Sequence, residues 1–142
     1  MISTRIVLSL LVVTVCIAVV NGCYCSRRTY GRNNRQKFCK AEFVVKGKVI
    51  DISIKTPKVR YQVENMYNFK LKEANTLYIF STTNNCEQIL KKGEIYLLSG
   101  TKDNLGDLHT NQCWWNSVWT DIPLSTRQDL QSGKYSRCYK ST

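Results

Sequence analysis

The sequence predicts a mainly β fold, with a partly open five-stranded Greek-key barrel of the OB type and flanking helices as its leading architecture. Short segments rich in β-branched and aromatic residues recur along the chain, whereas helical signals are few. The apolar alternation of the first long segment changes phase, which is typical of a strand that bends within a closed barrel. Six cysteines after residue 22 indicate that disulfides stabilise this fold.

The first predicted strand lies within Ala41–Ile54. Its apolar residues alternate in two sets, which are Phe43, Val45 and Val49, and then Ile50, Ile52 and Ile54. The phase changes between the two sets, close to Gly47. Because one extra residue moves every following side chain to the other face of a strand, this change predicts a β-bulge or a sharp bend.

Four further strands and a helix near the chain end are predicted from local patterns. The strands are Val59–Val63, Thr76–Ser81, Glu94–Ser99 and Leu105–Thr110. The helix is Thr126–Gln131, with Ser125 as its N-cap and Gly133 at its end. The polar segment Cys23–Lys37 is expected to be extended at first and to become helical before Cys39.

The start of the chain is typical of a secretory signal peptide. A positively charged beginning precedes the almost wholly apolar run Ile6–Val20, and Gly22 ends a stretch of small or β-branched residues. The apolar run is shorter than the roughly 20 residues that cross a bilayer, which argues against a membrane anchor. We therefore expect residues 1–22 to be removed, leaving residues 23–142 as a secreted, extracellular domain with no membrane span that begins at Cys23.

The cysteine count predicts a disulfide framework in one small domain. Cys16 leaves with the predicted leader, and six of the seven cysteines remain: Cys23, Cys25, Cys39, Cys86, Cys113 and Cys138. Six cysteines allow about 15 pairings, among which spacing alone does not choose. A structural zinc site is disfavoured because the chain has no CxxC pair and His109 is its single histidine.

Basic residues outnumber acidic ones in the mature chain. Only Arg5 leaves with the leader, so 20 Lys and Arg remain against 10 Asp and Glu, a net charge of +10. The densest cluster comprises Arg27, Arg28, Arg32, Arg35, Lys37 and Lys40. Two interpretations stay open: a surface that binds heparan-type sulfated glycans, or a solvated face that keeps the protein soluble. A secreted protein is not expected to meet nucleic acid.

Catalytic chemistry has few candidate residues. A single histidine excludes a two-histidine acid/base site, and an even cysteine count argues against a free thiol nucleophile. No GxSxG, HExxH or phosphate-loop pattern occurs, and the ten carboxylates are scattered. We expect the protein not to be an enzyme and to hold no cofactor of its own.

The unusual feature is the predicted mature start, Cys23-Tyr24-Cys25. Two bridged cysteines on either side of one residue would clamp a terminus that otherwise frays. An α-amino group has a pKa of about 7.7–8.0, so part of it is neutral near physiological pH. Together with the carbonyl oxygen of the same residue, a neutral amine forms a five-membered chelate for a metal ion, such as the open catalytic zinc of a protease. The alternative is that both cysteines serve only as anchors.

Several motifs occur in a specific order along the mature chain. They are Cys-x-Cys directly after the leader, Phe38–Val49 (FCKAEFVVKGKV), Arg60–Val63 followed by Met66-Tyr67, the lone Cys86, Gly106–His109 before Cys113, and Trp119 before Leu124-Ser125 and Cys138. In this order of motifs the chain resembles the amino-terminal, netrin-like domain of the tissue inhibitors of metalloproteinases. The resemblance implies an OB-type barrel with three disulfides, Cys23–Cys86, Cys25–Cys113 and Cys39–Cys138.

The resemblance also implies a secreted, monomeric inhibitor of matrix-type zinc metalloproteinases. Cys23 would bind the zinc of the protease through its amine and carbonyl, and Tyr24 would enter the pocket beside the zinc. The residues implied to contact the protease are Cys23, Tyr24, Cys25, Ser26 and Arg27 on one edge, and Asn84, Asn85, Cys86 and Glu87 on a second edge. The alternative function is a non-inhibitory netrin-like module that binds sulfated glycans or a protein partner through its basic surface.

Two departures from the family pattern concern the contact residues. Tyr24 stands where the family has a small hydroxyl residue, which predicts altered selectivity among proteases. The charged segment Ser26–Tyr30 replaces a proline-rich stretch and is expected to be more mobile.

Overall fold

The computed structural model describes residues 3–9, 22–70 and 74–138, of which residues 4–9 are helical. Most of the predicted signal peptide, including Cys16, lies outside these residues, so the leader stays a prediction. Within the described residues, no helix is long and apolar enough to cross a membrane.

The described residues form six strands. They are β1 (Phe43–Lys55), β2 (Lys58–Lys70), β3 (Thr76–Thr82), β4 (Ile95–Lys102), β5 (Leu108–His109) and β6 (Ser117–Val118). The sheet order is β1-β2-β3-β5-β4-β6, and β1 also pairs with β4, so that the first five strands close into a ring. β3 and β5 pair in parallel, and the other pairs are antiparallel. This closed five-stranded ring confirms the predicted OB-type barrel.

Two apolar clusters lie on opposite faces of β1. The barrel interior contains Phe43, Val45, Val49, Val59, Tyr61, Val63, Leu77, Ile79, Leu90, Tyr96, Leu98 and Leu108. The outer cluster contains Phe38, Ala41, Val44, Leu97, Trp115, Trp119, Ile122, Leu130 and Tyr135. Because neighbouring strand residues point to opposite faces, Phe43 and Val45 enter the barrel while Val44 enters the outer cluster.

The predicted irregularity of β1 is confirmed. Its register against β2 shifts between Lys46 and Gly47 and again between Val49 and Asp51, which leaves Ile50 without a partner in β2. A side chain at position 47 would run into Val63, so glycine is needed where the strands approach closely. Beyond the second shift Ile52 still packs against the barrel interior, whereas Ile54 is 70% exposed near the hairpin tip.

Helices lie before and after the barrel strands. They are α1 (Arg27–Tyr30), α2 (Asn34–Lys40), a 3-10 turn at Trp119–Asp121 and α3 (Leu124–Gln131). The side chain of Asn33 caps α2, because its Oδ1 accepts a hydrogen bond of 2.9 Å from the backbone N–H of Gln36. The helix predicted before Cys39 is therefore present, and α1 is an additional turn that the sequence pattern did not indicate.

Helix α3 begins earlier than predicted. Pro123 occupies the N-cap position, and Ser125 lies inside the first turn without capping it, so the Ser125 prediction is wrong. The end at Gly133 is confirmed: its φ is 75°, and the N–H groups of Gly133 and Lys134 donate to Leu130 and Asp129. Such paired bonds are typical of a helix end with a left-handed glycine.

The strand lengths differ from those predicted. β2 continues to Lys70, well beyond Val63, and β6 was not predicted. β5 has only two residues because the residues before it form a turn around Asp103. The Asp103 Oδ1 accepts hydrogen bonds of 2.9 Å from the N–H groups of Leu105 and Asp107. Leu105 is accordingly a turn residue and not a strand residue.

Candidate functional site

Two disulfides anchor the segment at the predicted mature start. Cys23 is bonded to Cys86 and Cys25 to Cys113, with Cα–Cα distances of 5.0 and 5.3 Å. A third bridge, Cys39–Cys138, joins α2 to the segment after α3. These are the pairs that the resemblance implied. The first two bridges attach one short segment to two loops of the barrel and so fix it at both cysteines.

The sulfur atoms of the two bridges lie close together. The Sγ of Cys23 is 3.6 Å from that of Cys113 and 4.0 Å from that of Cys25. Three sulfurs at this spacing resemble a metal site, but all of them belong to disulfides. Since a thiolate and not a disulfide binds zinc, the cluster is a covalent anchor.

Tyr24 projects into solvent between the two anchored cysteines. Its side chain is 87% exposed, and Cys25 is also exposed. The Tyr24 carbonyl oxygen lies 3.8 Å from the Sγ of Cys113, so its backbone lies against the second bridge. A backbone held by the two bridges thus carries a large aromatic ring that is open to solvent.

The loop Asn84–Glu87 lies beside the anchored segment. Asn84 shapes this loop, because its Oδ1 accepts from the N–H of Cys86 at 2.9 Å and its carbonyl accepts from Glu87 at 3.1 Å. The side-chain Nδ2 of Asn85 donates to the carbonyl of Gly22 at 3.2 Å. That contact involves a residue of the predicted leader. The Cys23–Cys86 bridge joins the same two segments independently of it, so residues 23–27 and 84–87, here called the terminal ridge, form one surface, which includes all the contact residues predicted from the sequence.

Asn116 lies at the centre of a polar network beneath the terminal ridge. Its Nδ2 lies 2.8 Å from Thr110 Oγ1, 3.0 Å from Gln88 Oε1 and 3.0 Å from the carbonyl of Asn111. Its Oδ1 accepts from the N–H of Ser99 in β4 at 2.9 Å. The network joins two loops to the barrel, one that follows Cys86 and one that precedes Cys113. No local sequence motif predicts it.

Tyr61 gives a second attachment for the loop after Glu87. Its hydroxyl donates to the carbonyl of Gln88 at 2.7 Å and accepts from the N–H of Leu90 at 3.2 Å. Burial raises the pKa of Tyr61 above its ordinary value, so the hydroxyl stays protonated and able to donate.

The segment Ser26–Tyr30, expected to be more mobile than a proline-rich stretch, contains helix α1. The carbonyl of Ser26 accepts a 3.0 Å hydrogen bond from the N–H of Tyr30. The Tyr30 ring packs edge-on against Trp114, with 4.8 Å between ring centroids. Because Trp114 directly follows Cys113, this contact attaches α1 to the loop that holds the second bridge.

The basic cluster predicted from the sequence lies next to the terminal ridge. It follows the ridge through α1, the connecting turn and α2, and comprises Arg27, Arg28, Arg32, Arg35, Lys37 and Lys40. All of its members except Lys37 are classed as exposed. The cluster is thus available to a partner that contacts the ridge.

A second basic surface was not predicted. A groove of about 300 Å³ is lined by Lys55, Lys58 and Arg60 together with Phe80. The Arg60 guanidinium lies 5.0 Å from the centre of the Tyr78 ring, a cation–π distance. The three cations lie close together in sequence, across the hairpin of β1 and β2, and β3 adds the aromatic rings of Tyr78 and Phe80.

His109 forms a hydrogen bond with Asp103 outside the terminal ridge. Its Nε2 is 2.7 Å from Oδ2 of Asp103. The hydrogen bond with His109, followed by those from the backbone N–H groups of Asp107 and Leu105, lowers the pKa of Asp103. The pair holds the turn before β5 and supplies no group to the ridge.

Comparison with known families gives one match. The model of a family described as tissue inhibitor of metalloproteinase matches residues 21–141, a span that contains all three disulfides. A search of curated proteins gives no match.

Proposed function

The chain belongs to the tissue inhibitor of metalloproteinase family, whose members are extracellular inhibitors and not enzymes, and from this premise we propose that its free Cys23 terminus blocks the zinc of a matrix-type metalloproteinase. The α-amine and carbonyl oxygen of Cys23 would take the place of the zinc-bound water. The zinc belongs to the protease, and the inhibitor needs no cofactor of its own.

The observation that carries this proposal is the double anchoring of Cys23 and Cys25. A terminus held at both cysteines loses little conformational freedom when it binds, which favours tight association. The sulfur of Cys23 is occupied by its bridge to Cys86, so the main-chain amine and carbonyl are the metal-binding atoms that this residue offers. The nitrogen becomes a good ligand only after cleavage behind Gly22, because an amide nitrogen binds zinc poorly.

We further propose that Tyr24 determines which proteases are inhibited. Its 87% exposed ring follows directly after the chelating residue, so it would enter the pocket beside the zinc. A deep apolar pocket would accept the ring and gain from its burial, whereas a shallow pocket would clash with it. Tyr24→Thr is therefore expected to change the order of preference among proteases, and an unchanged order would exclude Tyr24 from the pocket.

The chelation mechanism is tested by adding one alanine before Cys23. Mature protein beginning at Cys23 should inhibit a matrix metalloproteinase catalytic domain at a one-to-one ratio. The extended form should lose inhibition because its Cys23 nitrogen is an amide. A protein with one alanine added after Thr142 is the matched control and should inhibit normally. Equal potency of both extended forms would exclude the chelation mechanism.

Processing and assembly are parts of the same proposal. We expect secretion through the leader 1–22, cleavage after Gly22 and a monomeric product. Intact mass of the secreted protein checks the cleavage site, and sedimentation checks the monomer. A mature chain that began at Tyr24 would lack the Cys23 chelate and would contradict the proposed mechanism.

The groove lined by Lys55, Lys58 and Arg60 favours a second candidate function, binding of heparan-type sulfated glycans. The cationic groups would contact sulfates, and the nearby Tyr78 and Phe80 rings would pack against sugar rings. The double variant K58Q/R60Q should elute from heparin at lower salt than the wild type. The double variant K91Q/K92Q, altered in an exposed turn, controls for net charge alone; equal elution of both variants would exclude the groove.

A further inference from the structure

Positive charge is concentrated beside the terminal ridge. Residues 22–41 contain six lysines and arginines and no aspartate or glutamate. Residues 42–142, by contrast, contain 14 basic and 10 acidic residues. More than half of the net charge of the mature chain therefore lies in its first short segment, which includes one edge of the ridge.

Specific contacts hold this charged segment in place. The Tyr30 ring packs on Trp114, and the Asn33 side chain caps α2. The Nη2 of Arg35 donates to the carbonyl of Lys134 at 3.3 Å, which attaches α2 to the turn after α3. These contacts hold the backbone that carries Arg28 and Arg32 against the rest of the domain.

Arg28 and Arg32 are the members of the segment best placed to meet a partner. Both are exposed, and among the described residues no carboxylate pairs with either side chain. The other edge of the ridge, Asn84–Glu87, has no basic residue and carries one carboxylate, that of Glu87. The edge of the ridge that continues into α1 is therefore basic, whereas the loop 84–87 itself contains no basic residue.

We propose that Arg28 and Arg32 recognise an acidic rim on the cleft of the partner metalloproteinase, on the side that receives the residues following Cys23. This inference rests on the proposed function, to which it adds the charge of the partner and the residues that recognise it. Exposed charges at the edge of an interface mainly accelerate association, and salt screens them. The association rate constant at low salt is therefore the quantity that the two arginines should change.

The experiment measures how fast the mature protein associates with a matrix metalloproteinase catalytic domain of acidic surface. The rate is read from the onset of inhibition, as cleavage of a fluorogenic peptide slows. The test variant is R28Q/R32Q. The matched control is K91Q/K92Q, which removes the same charge from an exposed turn that hydrogen bonds tie to Val49 and Tyr96. Each protein is measured at about 20 mM and about 500 mM salt, between which the screening length changes several-fold.

At low salt R28Q/R32Q should associate about three- to tenfold more slowly than the wild type, whereas the control should change by less than about twofold. At high salt the three rate constants should converge, and the dissociation rate constants should stay similar. If association slows equally in both variants, or does not slow in R28Q/R32Q, the inference is overturned. The proposed function stands in either case as long as the wild type inhibits. Absence of inhibition by the wild type overturns the proposed function and the inference together.

Discussion

The terminal ridge and the barrel interior are held by different interactions. In the barrel, side chains such as Phe43, Ile79 and Leu98 are fully buried, so apolar burial keeps them in place. On the ridge, Tyr24 is 87% exposed, and two disulfides together with the Asn116 network fix the backbone. The difference shows how a contact surface can be rigid while its side chains stay free for a partner. Stability and binding should therefore respond to different substitutions.

The largest loss of stability is expected from Phe43→Ala. Removing a fully buried ring from the barrel should lower the free energy of unfolding by about 3–5 kcal/mol. Chemical denaturation measures this loss, and inhibition per folded molecule should change by less than about twofold because the ridge is untouched. Ile54→Ala, in the same strand but 70% exposed, is the control and should cost less than about 1 kcal/mol. Similar losses in both variants would contradict the assigned core.

Removing one disulfide at a time separates the stability of the domain from the rigidity of the ridge. Loss of Cys25–Cys113 or of Cys39–Cys138 by paired alanine substitution should each cost about 2–5 kcal/mol in unfolding free energy. Only the first bridge belongs to the ridge, so only its loss should weaken inhibition, by about tenfold or more, since the terminus then loses order before binding. Equal weakening by both pairs would show that the ridge has no separate anchoring.

Asn116→Ala tests whether the polar network supports the ridge. The substitution leaves the Ser99 N–H and the Thr110 hydroxyl without their amide partner, which should cost about 1–3 kcal/mol. Because the network holds the loops of Cys86 and Cys113, the inhibition constant should rise several-fold as well. Asn104→Ala, in an exposed turn, is the matched control for loss of an amide. Weakened stability with unchanged inhibition would assign the network to the barrel alone.

The smallest effect is expected from Asp103, which lies outside both regions. Its folded-state pKa is lowered, chiefly by the hydrogen bond with His109, so its carboxylate favours the folded state. This contribution is present above the unfolded-state pKa of about 3.9 and is lost as pH falls through the lower folded-state value. Asp103→Asn should therefore destabilise the protein near neutral pH and have a smaller effect below about pH 4. A difference between the two proteins that stays constant with pH would contradict this assignment.

Local sequence patterns predicted much of the barrel. The phase change in β1, the strands around Thr76–Ser81 and Glu94–Ser99, and the end of α3 at Gly133 are all confirmed. Each depends on neighbouring residues, through strand alternation or the conformational freedom of glycine. The same patterns missed β6 and the continuation of β2 to Lys70, because pairing with distant strands, and not composition, sustains those segments.

For the ridge, the sequence indicated which residues are candidates: the Cys-x-Cys start after a predicted leader, Tyr24 and the basic run to Lys40. How these residues are held depends on the tertiary structure, because Asn116, Tyr61 and Trp114 support the ridge by contacting segments far away in the chain. The tertiary structure also placed the Tyr78 and Phe80 rings of β3 beside the cations of the β1–β2 hairpin. Local patterns reflect backbone geometry and charge, which short segments carry by themselves. A support network arises only when folding brings distant polar groups within hydrogen-bond distance of one another.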